Sequence, residues 1–391
     1  MSKPWDAWIP GILTDDQVNH LVEQGAIENA STNPDDYDYS SFDLRLADEG
    51  YELTSGCVKP FGGGYLSTLK SLGLIRQLAP DTNSQYVLSA RHTYLFRLME
   101  RIHYFRGSPI AGQATAKSSV GRMDVLARLV VDGMDEYEGF TLGKEISGDL
   151  FIEVTPMTFN VVVRPGISLT QLRLCKGPLW DSRIRGESIT HTVLLTDQEN
   201  QEGTLSVDLT TTRIAGHPAS VFATSVEVGK GDPIPLWREQ GRAPTSPCQY
   251  WQLKQADSNR RLRIEKERFY IIRSYERIWL PPQVAVYCRA SDETIGEMRI
   301  HYAGFVHPFF GARDDGEKGT PLIFEVRGHD IDVSLRHQEK MARLEFYRMS
   351  QDCKKTRPSS YGEQSLQLSK YFASWPDHAS CSADGTITPI S

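Results

Sequence analysis

The stretch TYLFRLMERI, residues 93–102, recurs 176 positions further on as FYIIRSYERI, residues 269–278. Tyr94, Glu100, Arg101 and Ile102 fall on Tyr270, Glu276, Arg277 and Ile278. Apolar and polar residues alternate in both copies, the period of a strand with one buried face. The match continues downstream: Gly121 falls near Gly296, LFIEV (150–154) on IFEV (323–326) with Glu153 opposite Glu325, and LTQLRL (169–174) on MARLEF (341–346). Upstream, Ser41-Phe42-Asp43-Leu44 finds a counterpart in Ser206-Val207-Asp208-Leu209. A tandem duplication of one β-rich domain accounts for this, residues 1–180 forming the first copy and 181–391 the second. The boundary falls in the turn-rich, charged CKGPLWDSRIRGES.

Other segments, among them SFDLRLA, FNVVVRP and TLSVDLT, are equally short and alternating, and each ends at Gly, Pro, Asp or Asn. The fold is expected to be mainly β with a few short helices. One helix is signalled in TDDQVNHLVEQGAI: Thr14 or Asp15 caps it, Val18, Leu21 and Val22 share a face, and Gly25 ends it.

The 391 residues are 39% apolar and 10% aromatic, enough for two packed interiors. A net charge of −7 argues against a broad nucleic-acid-binding surface, so an anionic ligand would have to be held by a local basic site. The six cysteines are scattered without a C-x-x-C, as expected of reduced thiols. No apolar run approaches the ~18 residues of a membrane helix, and MSKPWDAWIPGIL lacks the apolar core of a leader. The expectation is a cytoplasmic protein that binds neither nucleic acid nor membrane.

The copies diverge most informatively where the first reads AKSSVGRMDV (116–125). The second reads RASDETIGEMRI (289–300), with Ser291 but no serine pair, and Glu297 where Arg122 stood. Serine hydroxyls, amides around a glycine, Lys117 and the Arg122 fork together suit polyphosphate oxygens. The same residues also suit a serine turn beside a surface arginine. Gly62-Gly63-Gly64 lacks the Lys-Ser/Thr of a P-loop and reads as a turn.

Taken together, these segments resemble the long, duplicated bacterial form of dCTP deaminase, of the dUTP pyrophosphatase-like superfamily. GILTDDQVNHLVEQGAI with SSFDLRLA looks like that family's opening, and AKSSVGRMDVLARLVV like its Lys-Ser-Ser-x-x-Arg phosphate motif. SGDLFIEVTPMTFNVVVRPGISLTQLRL looks like the strand bearing its glutamate and those after it. GEMRIHYAGFVHPFFG, IFEVR and PSSYGEQSLQLSKYF are similar to its second repeat and tail. The resemblance implies two distorted, jelly-roll β-barrels per chain, usually assembled as a homotrimer or another homo-oligomer, and a deoxynucleoside triphosphate substrate.

The resemblance further implies deamination of dCTP to dUTP and ammonia. Zinc deaminases use H-x-E with P-C-x-x-C; here His337-Gln338-Glu339 matches the first element, but Pro247-Cys248 has no second cysteine. A zinc-free route needs a carboxylate as base and proton shuttle. Glu153 is placed for it in LFIEVTP, where Leu150, Ile152 and Val154 point one way and Phe151, Glu153 and Thr155 the other. By the same carry-over, Ser118 and Arg122 sit beside the reacting water and the triphosphate, with Lys117 and Ser119 assisting. The Val131 carbonyl meets the exocyclic amine, and Tyr361 and Gln364 belong to a lid over the phosphates. Magnesium comes with the nucleotide, and no metal cluster of the protein's own is expected.

Two departures bear on the base. Gly133 stands where a basic hairpin residue is expected, and His307-Pro308-Phe309 replaces Asp-Pro-Gly. DGMDEYEG also has some likeness to the aspartate-and-tyrosine hairpin of dUTP pyrophosphatases, leaving pyrophosphate release from dUTP, or a bifunctional enzyme, as the alternative; a silent nucleotide-binding scaffold is another. Two site arrangements are open. Three first-half barrels could meet and use Glu153, or Ser118 and Arg122 could face a second-half hairpin bearing Ala303 and Glu325. The first is preferred, because it needs only like-with-like contacts and because a bulky Phe309 would disturb the turn of a working second-half hairpin.

Overall fold

The computed structural model describes residues 3–103, 108–142, 148–195, 203–290, 298–300, 304–313, 319–355, 365–382 and 386–389. The expected first helix, α1 (Asp15–Glu23), has Thr14 at its N-cap, where a reciprocal box with Gln17 satisfies two amides that the helix leaves open. Val18 and Leu21 are buried, and Gly25 ends the helix at φ +71°.

Two antiparallel sheets follow, curled into barrels. The first contains β1 (Ser41–Leu53), β2 (Tyr94–Ile102), β3 (Ile110–Ala116), β4 (Val125–Val131), β5 (Asp149–Pro156) and β6 (Ser168–Lys176), with α2 (Tyr65–Ser71) after β1 and the one-turn α3 (Ser118–Gly121) after β3. The second contains β7 (Thr204–Asp208), β8 (Phe269–Ile278), β9 (Val284–Ala290), β10 (Met298–Ile300), β11 (Gly304–Val306), β12 (Thr320–Gly328) and β13 (Lys340–Arg348). Hydrogen-bonded neighbours run β3-β6-β1-β2-β5-β4 in the first and β9-β13-β7-β8-β12-β10 in the second, the same order strand for strand.

The register corrects one reading. Leu46 pairs with Leu98 and Val207 with Ser274, so β1 answers to β7 at a spacing of 161, from Leu46 to Val207, and Ser41 is not the counterpart of Ser206. A shift by an even number of residues leaves every side chain on its own face, so alternation alone cannot choose between the two alignments. The buried glutamates decide it: Glu100 accepts from the Arg45 amide and Glu276 from the Ser206 amide, each at 2.7 Å.

The halves share an interior. Trp251, Tyr250 and Phe372 from the second half surround Phe159 of the first, with ring centroids 5.7, 5.7 and 6.0 Å away. Strand Ile234–Pro235 adds to the first-half strand Val161–Val163 in parallel. At the start of the chain, Gly11 runs so close to Met349 and Ser350 that a Cβ would lie 2.7 Å from the Ser350 amide nitrogen. The barrels are thus held face to face, and the seam between them forms a cavity.

Candidate active site

The Ser-Ser-x-x-Arg segment leaves β3, makes the single turn α3 and reaches Asp124, whose φ of +54° swings the chain into β4. Aspartate tolerates this left-handed conformation better than most side chains. The turn sends Arg122 into the seam, where it is 6% exposed, while Ser118 stays exposed on the cavity wall. Lys117 is ion-paired to Asp43, another lining residue. Burial pushes the Asp43 carboxyl up to about 6 even though Lys117 opposes the shift. The tail packs behind the motif: Ser369 Oγ donates to the Ser119 carbonyl at 2.6 Å, Tyr371 Oη lies 3.4 Å from Ser119 Oγ, and Lys370 lines the cavity.

The opposite wall comes from the second barrel. Glu325 of β12, 5% exposed, has Oε1 3.9 Å from Arg122 Nε. Burial pushes its pKa up to about 8, with Arg122 pulling the other way. Cys288 at the end of β9 is beside it, and desolvation followed by the Glu325 charge pushes that thiol up to about 12. Together with β11 and the turn His307–Phe310, these residues enclose about 420 Å³, within the range of small-ligand sites.

A buried arginine fixes this wall. Arg173 of β6, 1% exposed, donates to the Val286 carbonyl at 3.1 Å and to Ser40 Oγ at 3.2 Å, and its guanidinium stacks 3.9 Å from the Phe305 ring centroid. Burial lowers its pKa to about 9. Since Ser40 Oγ accepts from Arg173, its own proton is available to His307 Nδ1 at 2.8 Å. The His307-Pro308-Phe309 turn corrects an expectation. Phe309 adopts φ +66°, the conformation a glycine would supply, and its ring meets Tyr39 at 5.0 Å. The bulky residue is accommodated, and the strain sits beside the cavity.

Glu153 lies elsewhere. The alternation of β5 is as read, with Leu150, Ile152 and Val154 in the barrel core and Phe151 in a separate cluster under α2. Glu153, 1% exposed, is ion-paired to Arg128 and accepts from Tyr137 Oη at 3.1 Å and the Val58 amide at 3.3 Å. The segment from Val58 to α2 covers it. The Val131 carbonyl is taken by the Met134 amide at 3.0 Å. Neither Glu153, Val131 nor the Asp135 and Tyr137 hairpin lines the cavity that holds Ser118 and Arg122. The structure thus brings together Lys117, Ser118, Ser119, Arg122 and Glu325, and separates them from Glu153 and Val131. Ala303, Tyr361 and Gln364 lie outside the described residues.

Sequence reasoning did not single out Lys370, Asp43 or Cys288. Lys370 carried a signal, as the only cation in the quoted tail; the other two were strand residues like any other. His337 accepts from the Leu209 amide at 3.2 Å, and among the described residues no group of three or more His, Cys, Asp and Glu side chains could hold a metal ion.

Residues 9–178 match the model of the 2'-deoxycytidine 5'-triphosphate deaminase N-terminal domain, and residues 186–372 that of the C-terminal domain of the same family. Among solved structures, the chain is similar to 2'-deoxycytidine 5'-triphosphate deaminase from Agrobacterium tumefaciens, at 26% identity and a TM-score of 0.77. The match covers 88% of this chain and 97% of the other. No curated protein matches significantly.

Proposed function

The chain belongs to the 2'-deoxycytidine 5'-triphosphate deaminase family, hydrolases, in its tandem two-domain form, and from that premise we propose a zinc-independent deamination of dCTP with Glu325 as general base and proton shuttle. The observation that carries the assignment is the meeting of Glu325 and Arg122 in one cavity, 3.9 Å apart.

Glu325, ionised, takes a proton from a water as its oxygen attacks C4 of the cytosine, and passes that proton to N3. A second proton, from the new hydroxyl, moves to the exocyclic nitrogen. The C4–N bond breaks, ammonia leaves and the C4 carbonyl of dUTP remains. A pKa near 8 suits a group that must both take and return a proton near neutrality. Arg122 offers its fork to phosphate oxygens and its charge to Glu325, and Ser118 positions the water. Lys117, Ser119 and Lys370 supply donors at the phosphate end. Magnesium would be held by the nucleotide's own phosphates, whose charge these cations fit. The base would lie against β11 and the turn His307–Phe310.

Both described walls of this cavity come from one chain; the resemblance also led to an expected homotrimer. That assembly is a proposal checked by light-scattering mass. A cytoplasmic location is likewise proposed; no described helix is long and apolar enough to cross a membrane.

The test is to incubate the protein with dCTP, dUTP, CTP and dCMP and to follow ammonia, dUMP and pyrophosphate separately. Ammonia from dCTP alone supports the proposal. Pyrophosphate from dUTP would make the enzyme a pyrophosphatase or bifunctional, and binding without turnover would make it a scaffold.

A further inference from the structure

Two residues beyond Arg122 in the chain, and two beyond Glu325, a second pair of opposite charges crosses the seam. Asp124 Oδ2 is ion-paired to Arg327 Nη1. Thr158 closes a triangle, its hydroxyl donating to Asp124 Oδ2 at 2.5 Å and accepting from Arg327 Nη1 at 2.8 Å. Arg327 Nη2 also donates to the Glu267 carbonyl at 3.3 Å. Asp124 is fully buried and Arg327 3% exposed.

Such a pair gains little net stability, because desolvating both charges offsets most of their attraction. This one is not even fully satisfied: Asp124 Oδ1 is buried without a hydrogen-bond partner among the described residues. Its geometry does specify an alignment. Glu325 and Arg327 share a face of β12, being two apart on a strand. The first barrel offers plus then minus, Arg122 and Asp124; the second offers minus then plus. Exchanging partners would set Arg122 against Arg327 and Asp124 against Glu325, two like-charge contacts between buried groups.

We propose that Asp124, Arg327 and Thr158 form a positioning clamp that sets where Glu325 stands relative to Arg122 and the nucleotide. The proposal rests on Glu325 being the base. The clamp touches no substrate; it acts through β12, and a displacement of about 1 Å at the reacting centre costs on the order of 100-fold in rate.

The test uses the full-length protein. Arg327→Gln and Asp124→Asn should each lower kcat for ammonia release from dCTP by roughly 10- to 100-fold, with KM within about threefold, and should move the acid limb of the pH–rate profile. Arg327→Lys, keeping charge without the fork, should fall between. The double variant should lose no more than the worse single one. If Arg327→Gln fails to fold, Thr158→Val removes one side of the triangle and should show the same split more weakly. Folded variants with lower melting temperature but unchanged kcat and pH profile would make the clamp structural only and overturn the proposal. Glu325→Gln, run alongside, separates the two ideas: if it keeps the rate, the base assignment fails; if it is inactive while the clamp variants are normal, only the clamp fails.

Discussion

Glu153 and Glu325 occupy equivalent positions in repeated strands but answer to different cations. Glu153 stands directly across the sheet from Arg128 and is ion-paired to it, within its own barrel. Glu325 meets Arg122 of the other barrel at 3.9 Å, too far for a direct hydrogen bond. The first carboxylate is already engaged by an arginine, a tyrosine and a backbone amide. The second carboxylate and its arginine both face the cavity, where a water or a substrate group beside them can bridge the two.

The two glutamates should therefore behave oppositely on substitution. Glu325→Gln keeps shape and removes the base, so ammonia release should fall by at least about 1,000-fold while nucleotide binding persists. Glu153→Gln should retain most of the rate but lose roughly 2 kcal/mol of stability, since it leaves Arg128 without its counter-charge. Steady-state ammonia assays with denaturant unfolding of both variants check this. A dead but stable Glu153→Gln would return catalysis to the first-half barrel.

How much of this was legible in the sequence follows from what each feature depends on. The duplication, the β class and α1 could be read because period-two alternation, turn residues and a capping box are local. The Lys-Ser-Ser-x-x-Arg cluster stood out for the same reason. Which glutamate faces that cluster could not be read, because it depends on how two barrels dock. Glu153 and Glu325 sit in nearly identical sequence, and only Arg128 on the adjacent strand and the cover from Val58 to α2 tell them apart. Phe309 misled because a positive φ in an aromatic residue is rare, not forbidden.

The pH dependence follows from Glu325. Its pKa is raised from 4.5 to about 8, chiefly by burial, and the base must be ionised, so kcat/KM should rise with pH through an acid limb far above the usual carboxylate range. Arg122 opposes the shift, so removing it should move the limb higher still, in addition to a loss of roughly 2–5 kcal/mol in transition-state binding. Stability runs the other way. A carboxyl with a raised folded pKa binds its proton more tightly when folded, so its contribution is lost as pH climbs from about 4.5 to about 8. Glu325→Gln should gain on the wild type across that window, and a difference in melting temperature that does not change between pH 5 and 8 would count against the buried, raised carboxyl.

Zinc independence can be tested without any variant. His337 is held by the Leu209 amide, and Pro247-Cys248 lacks its second cysteine. Ammonia release from dCTP should survive prolonged incubation with a zinc-selective chelator while magnesium is supplied. Activity that disappears and returns only with added zinc would sink the carboxylate mechanism.

The duplication also bears on stoichiometry. Glu153 itself is covered by the chain, while Arg128 and Tyr137 beside it line a second cavity. Tyr65 donates through its amide to Asp132 Oδ1 at 2.9 Å and through its hydroxyl to the Val58 carbonyl, while the Gly133 amide donates to the Gly63 carbonyl at 3.3 Å. Tyr65, Leu66 and Leu69 of α2 pack with Val130 and Phe151 in one buried cluster, which a nucleotide could enter only by expelling the helix. Each chain should therefore bind one triphosphate. Calorimetric titration of Glu325→Gln with dCTP, which that variant leaves intact, should give a stoichiometry near one per chain. Adding Arg122→Ala should remove most of the binding heat. Two sites per chain, or heat that survives loss of Arg122, would mean that the first-half face opens and that the repeat kept both of its sites.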